Sequence, residues 1–162
     1  MTMNEFVKTV SLNSEFHYGF NEALTYLGMG LAEETGEVIS EIRKYVYKGQ
    51  YHEKELDRQH LEEELGDIIW YLAAISIITK TDIGAINKKA VHQKLLCSTN
   101  QEERVSNLKI GAMCLRKSSA DMCELLEEYA ITSQLQKEKL EQAMLSGLIS
   151  VRQLGRTEGL RF

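Results

Sequence analysis

Proline is absent from all 162 residues. Its ring fixes φ and breaks helices, so a chain without it favours long helices joined by short connections. Cysteine is scarce. Cys97, Cys114 and Cys123 form no CxxC pair and no metal-ligand spacing, and an odd count without a secretion signal reads as reduced thiols in the cytoplasm. No run of about 18 apolar residues occurs, so no membrane span is expected. The opening MTMNEFVKTV lacks a positive stretch leading into an apolar one, so no secretory leader is expected either. Lys and Arg number 19 against 24 Asp and Glu, and the net charge of −5 argues against general nucleic-acid binding. The same acidity makes an anionic substrate awkward to hold unless cations intervene.

What the chain does have is helical periodicity. At 43% hydrophobic residues it can build one compact core without disulfides or structural metals. Leu24, Gly28, Leu31, Thr35, Val38, Ile42 and Tyr45 step by fours and threes along one face, and Lys48-Gly49 offers a helix end. Leu61, Leu65, Ile68, Leu72 and Ile75 repeat the stepping in a helix expected from Asp57 to Ile78. Thr81-Asp82 starts another, expected to reach Leu96. Thr99 with Glu102, and Ser133 with Gln136, have capping-box spacing and predict helices over 101–129 and 134–154. A short helix over 4–10 is weakly marked, and residues 155–162 are expected to fray. The reading is all-α, a single domain over 1–162 of five to six helices, with an antiparallel pair carrying the site.

Two segments carry the chemistry: Leu31-Ala-Glu-Glu-Thr-Gly-Glu37 and Leu61-Glu-Glu-Glu-Leu-Gly-Asp67. Each holds carboxylates three apart, Glu34/Glu37 and Glu64/Asp67, which share one helix face. Glu34 follows Leu31 by three and precedes Val38 by four, and Glu64 stands in the same relation to Leu61 and Ile68, beside the apolar seam. Carboxylates facing a core are paired, protonated or bound to metal. Gly36 and Gly66, each just before the last carboxylate of its pair, cost about 1 kcal/mol apiece inside a helix and suggest close approach by a helix or a ligand. Glu33, Glu62 and Glu63 point elsewhere and read as surface residues. All-oxygen ligands select hard cations such as Mg²⁺ or Mn²⁺. None of His17, His52, His60 and His92 follows a Glu by three, so the Glu-x-x-His motif of di-iron bundles is missing, and each histidine reads as a surface or loop residue.

LGMGLAEETGEVISEIRK followed by LEEELGDIIWYLAAI resembles the MazG-type members of the all-α nucleoside triphosphate pyrophosphatases, a superfamily that also contains dimeric dUTPases. The likeness spans Leu24 to Leu95, a core placed at 22–96. It implies that Glu34, Glu37, Glu64 and Asp67 bind Mg²⁺, with Mn²⁺ able to substitute. It implies a nucleoside triphosphate substrate, a dNTP and modified ones among them, cut to the monophosphate and pyrophosphate. Glu37 or Glu34 would take the proton from water. Tyr71 matches an aromatic position that contacts nucleotide, while Trp70 reads as core. Arg43, Lys44 and Lys48 are candidates for phosphate. On the next helix relatives carry Asn-x-x-Lys-Leu-x-x-Arg. Here Lys94-Leu95 fits, Val91 replaces the Asn with Asn87 one turn earlier as a substitute, and Ser98 replaces the Arg. The resemblance further implies a cytoplasmic homodimer or homotetramer.

The competing reading is a non-catalytic helical nucleotide-binding or regulatory oligomer, favoured by Val91 and Ser98 and opposed by the four carboxylates. Beyond the resemblance, Met113, Leu115, Asp121, Met122 and Tyr129 repeat the spacing of Met29, Leu31, Glu37, Val38 and Tyr45. Ser118 falls where Glu34 would, so 101–154 reads as a helical pair, a degenerate second module without metal ligands.

Overall fold

A computed structural model describes residues 1–13, 19–48 and 55–160. His17, His52 and Gly49 lie outside the described residues. Among the described residues are six helices and no strand: α1 (Met3–Asn13), α2 (Phe20–Val46), α3 (Arg58–Thr79), α4 (Ile83–Val91), α5 (Gln101–Thr132) and α6 (Lys137–Glu158). The chain is an all-α bundle, as its periodicity predicts.

The predicted seams are the core. Leu24, Leu31, Val38, Leu61, Leu65, Ile68, Leu72 and Ile75 are all fully buried. α2 is flanked by α3 and α5, α5 packs on α6, and α6 reaches back to α3 and α4, closing the bundle. Each long pair runs antiparallel. Gly30 meets Tyr71 and Glu41 meets Asp57 across α2–α3, while Phe20 meets Tyr129 and Tyr45 meets Arg104 across α2–α5. The helices of 101–158 therefore fold back onto the carboxylate-bearing pair within one chain.

Three expectations about helix ends need correction. α4 stops at Val91, not Leu96. Arg152 of α6 donates to the Ala90 carbonyl, and Gln153 brackets Leu96, accepting from its N–H at 2.7 Å and donating to its carbonyl at 3.1 Å. These bonds replace helical ones and lay the following segment across α6. Ser133 does not start α6. It ends α5 in the left-handed conformation, φ 57°, with its N–H donating to the Tyr129 carbonyl. α6 begins three residues after the expected Gln134, at Lys137. The segment after Leu154 does not fray: α6 continues through Glu158 and closes on Gly159 at φ 74°. There the Glu158 carboxylate, wholly buried, receives a two-pronged contact from Arg104, with Nε at 2.9 Å, and Arg58 Nε stands 3.5 Å away.

Candidate metal and nucleotide site

The antiparallel register of α2 and α3 arranges the site as a line. Tyr71 lies opposite Gly30, Glu64 and Asp67 opposite Glu34, His60 opposite Glu37, and the N-terminus of α3 opposite Glu41. Asp57 fixes where α3 begins by accepting from the His60 N–H at 3.1 Å. From that start, 3.6 residues per turn bring His60, Glu64, Asp67 and Tyr71 to one face.

Carboxylate oxygens of Glu34, Glu64 and Asp67 lie within 4.8 Å of one another, and Glu37, His60 and Glu64 form a second such group. Glu64 belongs to both and is the buried member, only 8% exposed; Glu37 and Asp67 face solvent. Burial first, then the hydrogen bond to Glu64 and the charges of Glu64, Asp67 and Glu37, push the Glu34 carboxyl up to about 7. Without a cation, the cluster therefore relieves its repulsion by holding a proton near neutral pH. Such a donor set, oxygen-rich and short of positive charge, suits a hard divalent ion.

At one end of the line stands an aromatic wall. The Tyr71 ring fills the space over Gly30, where a Cβ would come within 2.2 Å of it. Burial, followed by the nearby Tyr26 phenol and the hydrogen bond to it, pushes the Tyr71 hydroxyl up to about 12. Trp70 stands edge-on to Tyr71, with centroids 5.0 Å apart, half-buried against the core. At the other end Glu41, 1% exposed, accepts from the Asp57 N–H at 3.4 Å and pairs with Lys44 at 3.5 Å. Lys48 pairs with Glu55 at 3.6 Å.

Not every sequence candidate gathers here. Asn87 lines a separate open cleft of about 730 Å³ with Asn4, Phe6, Gly66, Ile69 and Lys88. Successive helical residues turn by about 100°, so Gly66 faces that cleft while Asp67 turns toward the carboxylates. Lys94 is exposed beyond the end of α4, and among the described residues no ion pair or hydrogen bond links it to the site. Of the close approach by a helix or a ligand expected at Gly36 and Gly66, the helix is not there: a Cβ on either would meet nothing within 4 Å. Within the α2–α3 pair the crowded glycine is Gly30, against Tyr71. His60, expected to be a surface or loop residue, is instead half-buried on α3 beside Glu37 and Glu64; Glu41, Tyr26 and Gly30 carry no mark in the sequence, although Glu41 continues the Glu34/Glu37 face one turn on. Glu33, Glu62 and Glu63 are exposed, as expected.

Residues 23–97 match the family model of the MazG nucleotide pyrophosphohydrolase domain. The gene 37 protein of Mycobacterium phage L5 is 34% identical over 55 residues, a stretch covering 34% of this chain and 48% of that protein. The match thus spans about half the length of the curated relative. No solved structure gives a match. No helix among the described residues is long and apolar enough to cross a membrane.

Proposed function

We propose, from the MazG nucleotide pyrophosphohydrolase domain at residues 23–97, that the chain hydrolyses nucleoside triphosphates, dNTPs and modified dNTPs among them, to the monophosphate and pyrophosphate. The observation that carries this is the convergence of Glu34, Glu64 and Asp67 within 4.8 Å, from two facing helices. The residues fit Mg²⁺, with Mn²⁺ as a substitute: Glu34, Glu37, Glu64 and Asp67 would hold it. A bound divalent ion supplies charge neutralisation for the triphosphate and makes water more acidic.

The rest falls to the protein. Tyr71, with Tyr26 beside it, offers an aromatic edge for the nucleoside at one end of the groove. Lys44 and Lys48 lie toward the other end, where leaving-group phosphates would gather charge. Glu37 is exposed and reachable by solvent, so it takes the proton as water attacks the α–β linkage, with Glu34 as the alternative acceptor. Water adds to one phosphorus, the bridging P–O bond breaks, and pyrophosphate leaves. The 101–158 pair acts as a degenerate second module that covers α2 and supplies no ligand. The chain works as a homodimer or homotetramer, supported by the exposed Met29 and Tyr26 on α2; sedimentation at micromolar concentration showing only the 18.5 kDa monomer would overturn that. Pyrophosphate release from a panel of unmodified and modified dNTPs, with and without Mg²⁺, tests the activity. Inorganic phosphate with a diphosphate product, or turnover indifferent to EDTA, would sink it.

A further inference from the structure

We propose that His60 turns one end of the carboxylate groove into a mixed nitrogen–oxygen position. One ring nitrogen, with the carboxylates of Glu37 and Glu64, holds a first-row transition-metal ion beside the all-oxygen position of Glu34, Glu64 and Asp67. The inference rests on reading the groove as a divalent-cation centre, and deepens it.

Geometry is the ground for it. His60 Nδ1 stands 3.0 Å from Glu64 Oε1, and Nε2 stands 4.0 Å from Glu37 Oε2. Ligands about 2.1 Å from one ion stand roughly 3.0 Å apart when adjacent and roughly 4.2 Å apart when opposite. These separations use different ring nitrogens, so an ion takes only one of them; one ligand atom from each of His60, Glu37 and Glu64 nonetheless lies within 4.8 Å of the others, close to the span of a single ion. The backbone of His60 is pinned by its N–H bond to Asp57 at 3.1 Å, which aims the ring across the groove at α2.

Each ring nitrogen faces a carboxylate oxygen, so a cation seated at either nitrogen has a carboxylate beside it to share. Imidazole favours the later first-row metals, whereas Mg²⁺ keeps to oxygen. The two positions therefore differ in preference, with Glu64 common to both.

The test loads the full chain with Mn²⁺ and records ¹⁴N couplings by pulsed electron paramagnetic resonance. Calorimetric titrations with Co²⁺ and Mg²⁺ run beside it. The unsubstituted protein should show a histidine-nitrogen coupling that disappears in His60→Gln. In the variant, Co²⁺ affinity should fall about tenfold or more while Mg²⁺ affinity moves by less than about twofold. The coupling in the unsubstituted protein needs no variant to fold. Bound Mn²⁺ without nitrogen coupling, or coupling that survives His60→Gln, overturns this proposal alone. Coupling without pyrophosphate release supports it and removes the catalytic reading. A chain that binds none of the three ions overturns both.

Discussion

Glu64 is buried and Glu34 partly so, whereas Glu37 and Asp67 face solvent, and that inequality decides what each substitution does. Glu34→Gln, Glu37→Gln, Glu64→Gln and Asp67→Asn should each lower turnover by about 10²-fold or more, because each removes a metal ligand or proton acceptor. Glu33→Gln and Glu62→Gln, on the outer faces, should stay within about twofold. Steady-state pyrophosphate release checks both groups, and equal losses in the two would show that the faces are misassigned. The metal-free protein should also be pH-sensitive through Glu34. Its carboxyl titrates at about 7 in the folded chain against 4.5 as the ordinary value, so the native state holds the extra proton between those limits. Stability from this group is therefore complete below about pH 4.5 and lost as pH rises through 7, while Glu64, Asp67, Glu37 and His60 surround it. At pH 8 without metal, Glu34→Gln should raise the melting temperature; at pH 4 the gain should vanish. A melt that is flat in pH and unmoved by the substitution would contradict it. The carboxylate pairs were legible in the sequence because i, i+3 spacing fixes a face on a single helix. His60 was not, since its contacts with Glu37 depend on how α2 registers against α3, which no spacing within α3 reveals.

The register of the helix pair is set where α2 narrows at Gly30. Gly30→Ala would drive a Cβ to 2.2 Å from the Tyr71 ring, so the ring must turn away or the helices part. Weaker nucleotide binding should follow, read as a raised KM, together with a lower melting temperature; Gly36→Ala, with nothing within 4 Å, should instead stabilise by up to about 1 kcal/mol. Helix starts were read within a residue wherever a short polar side chain truly caps. Asp57 and Asp82 do so for α3 and α4. For α5 the cap is Asn100, accepting from the Glu103 N–H at 2.9 Å, while Glu103 accepts from the Thr99 N–H at 2.7 Å, one residue on from the expected Thr99/Glu102 pair. Asn100→Ala should cost about 1 kcal/mol in denaturant unfolding, and Glu102→Ala almost nothing. Ser133 misled because the same residue type that starts a helix can end one when the chain turns left-handed.

The Glu158 carboxylate ties the C-terminus of α6 to the starts of α3 and α5 through Arg58 and Arg104, and Tyr45 of α2 meets Arg104 as well. A negative side chain at a helix C-terminus opposes the helix dipole, so the two guanidiniums are needed to hold it buried. Glu158→Gln leaves both cations without their counter-charge and should cost about 3 kcal/mol or more, measured by urea unfolding. A loss under about 1 kcal/mol would mean that the cluster is exposed to water in solution. That tie was invisible beforehand, because Arg104 and Glu158 are 54 residues apart and neither sits in a motif. It also orders events in time. On the ribosome α2 and α3 emerge complete long before α5 and α6, and at about 5–20 residues per second the wait is on the order of ten seconds. Through that interval the face of α2 that packs on α5 has no cover, and Arg58 has no Glu158. The groove helices are thus translated first and locked last, once Glu158 has reached Arg58 and Arg104.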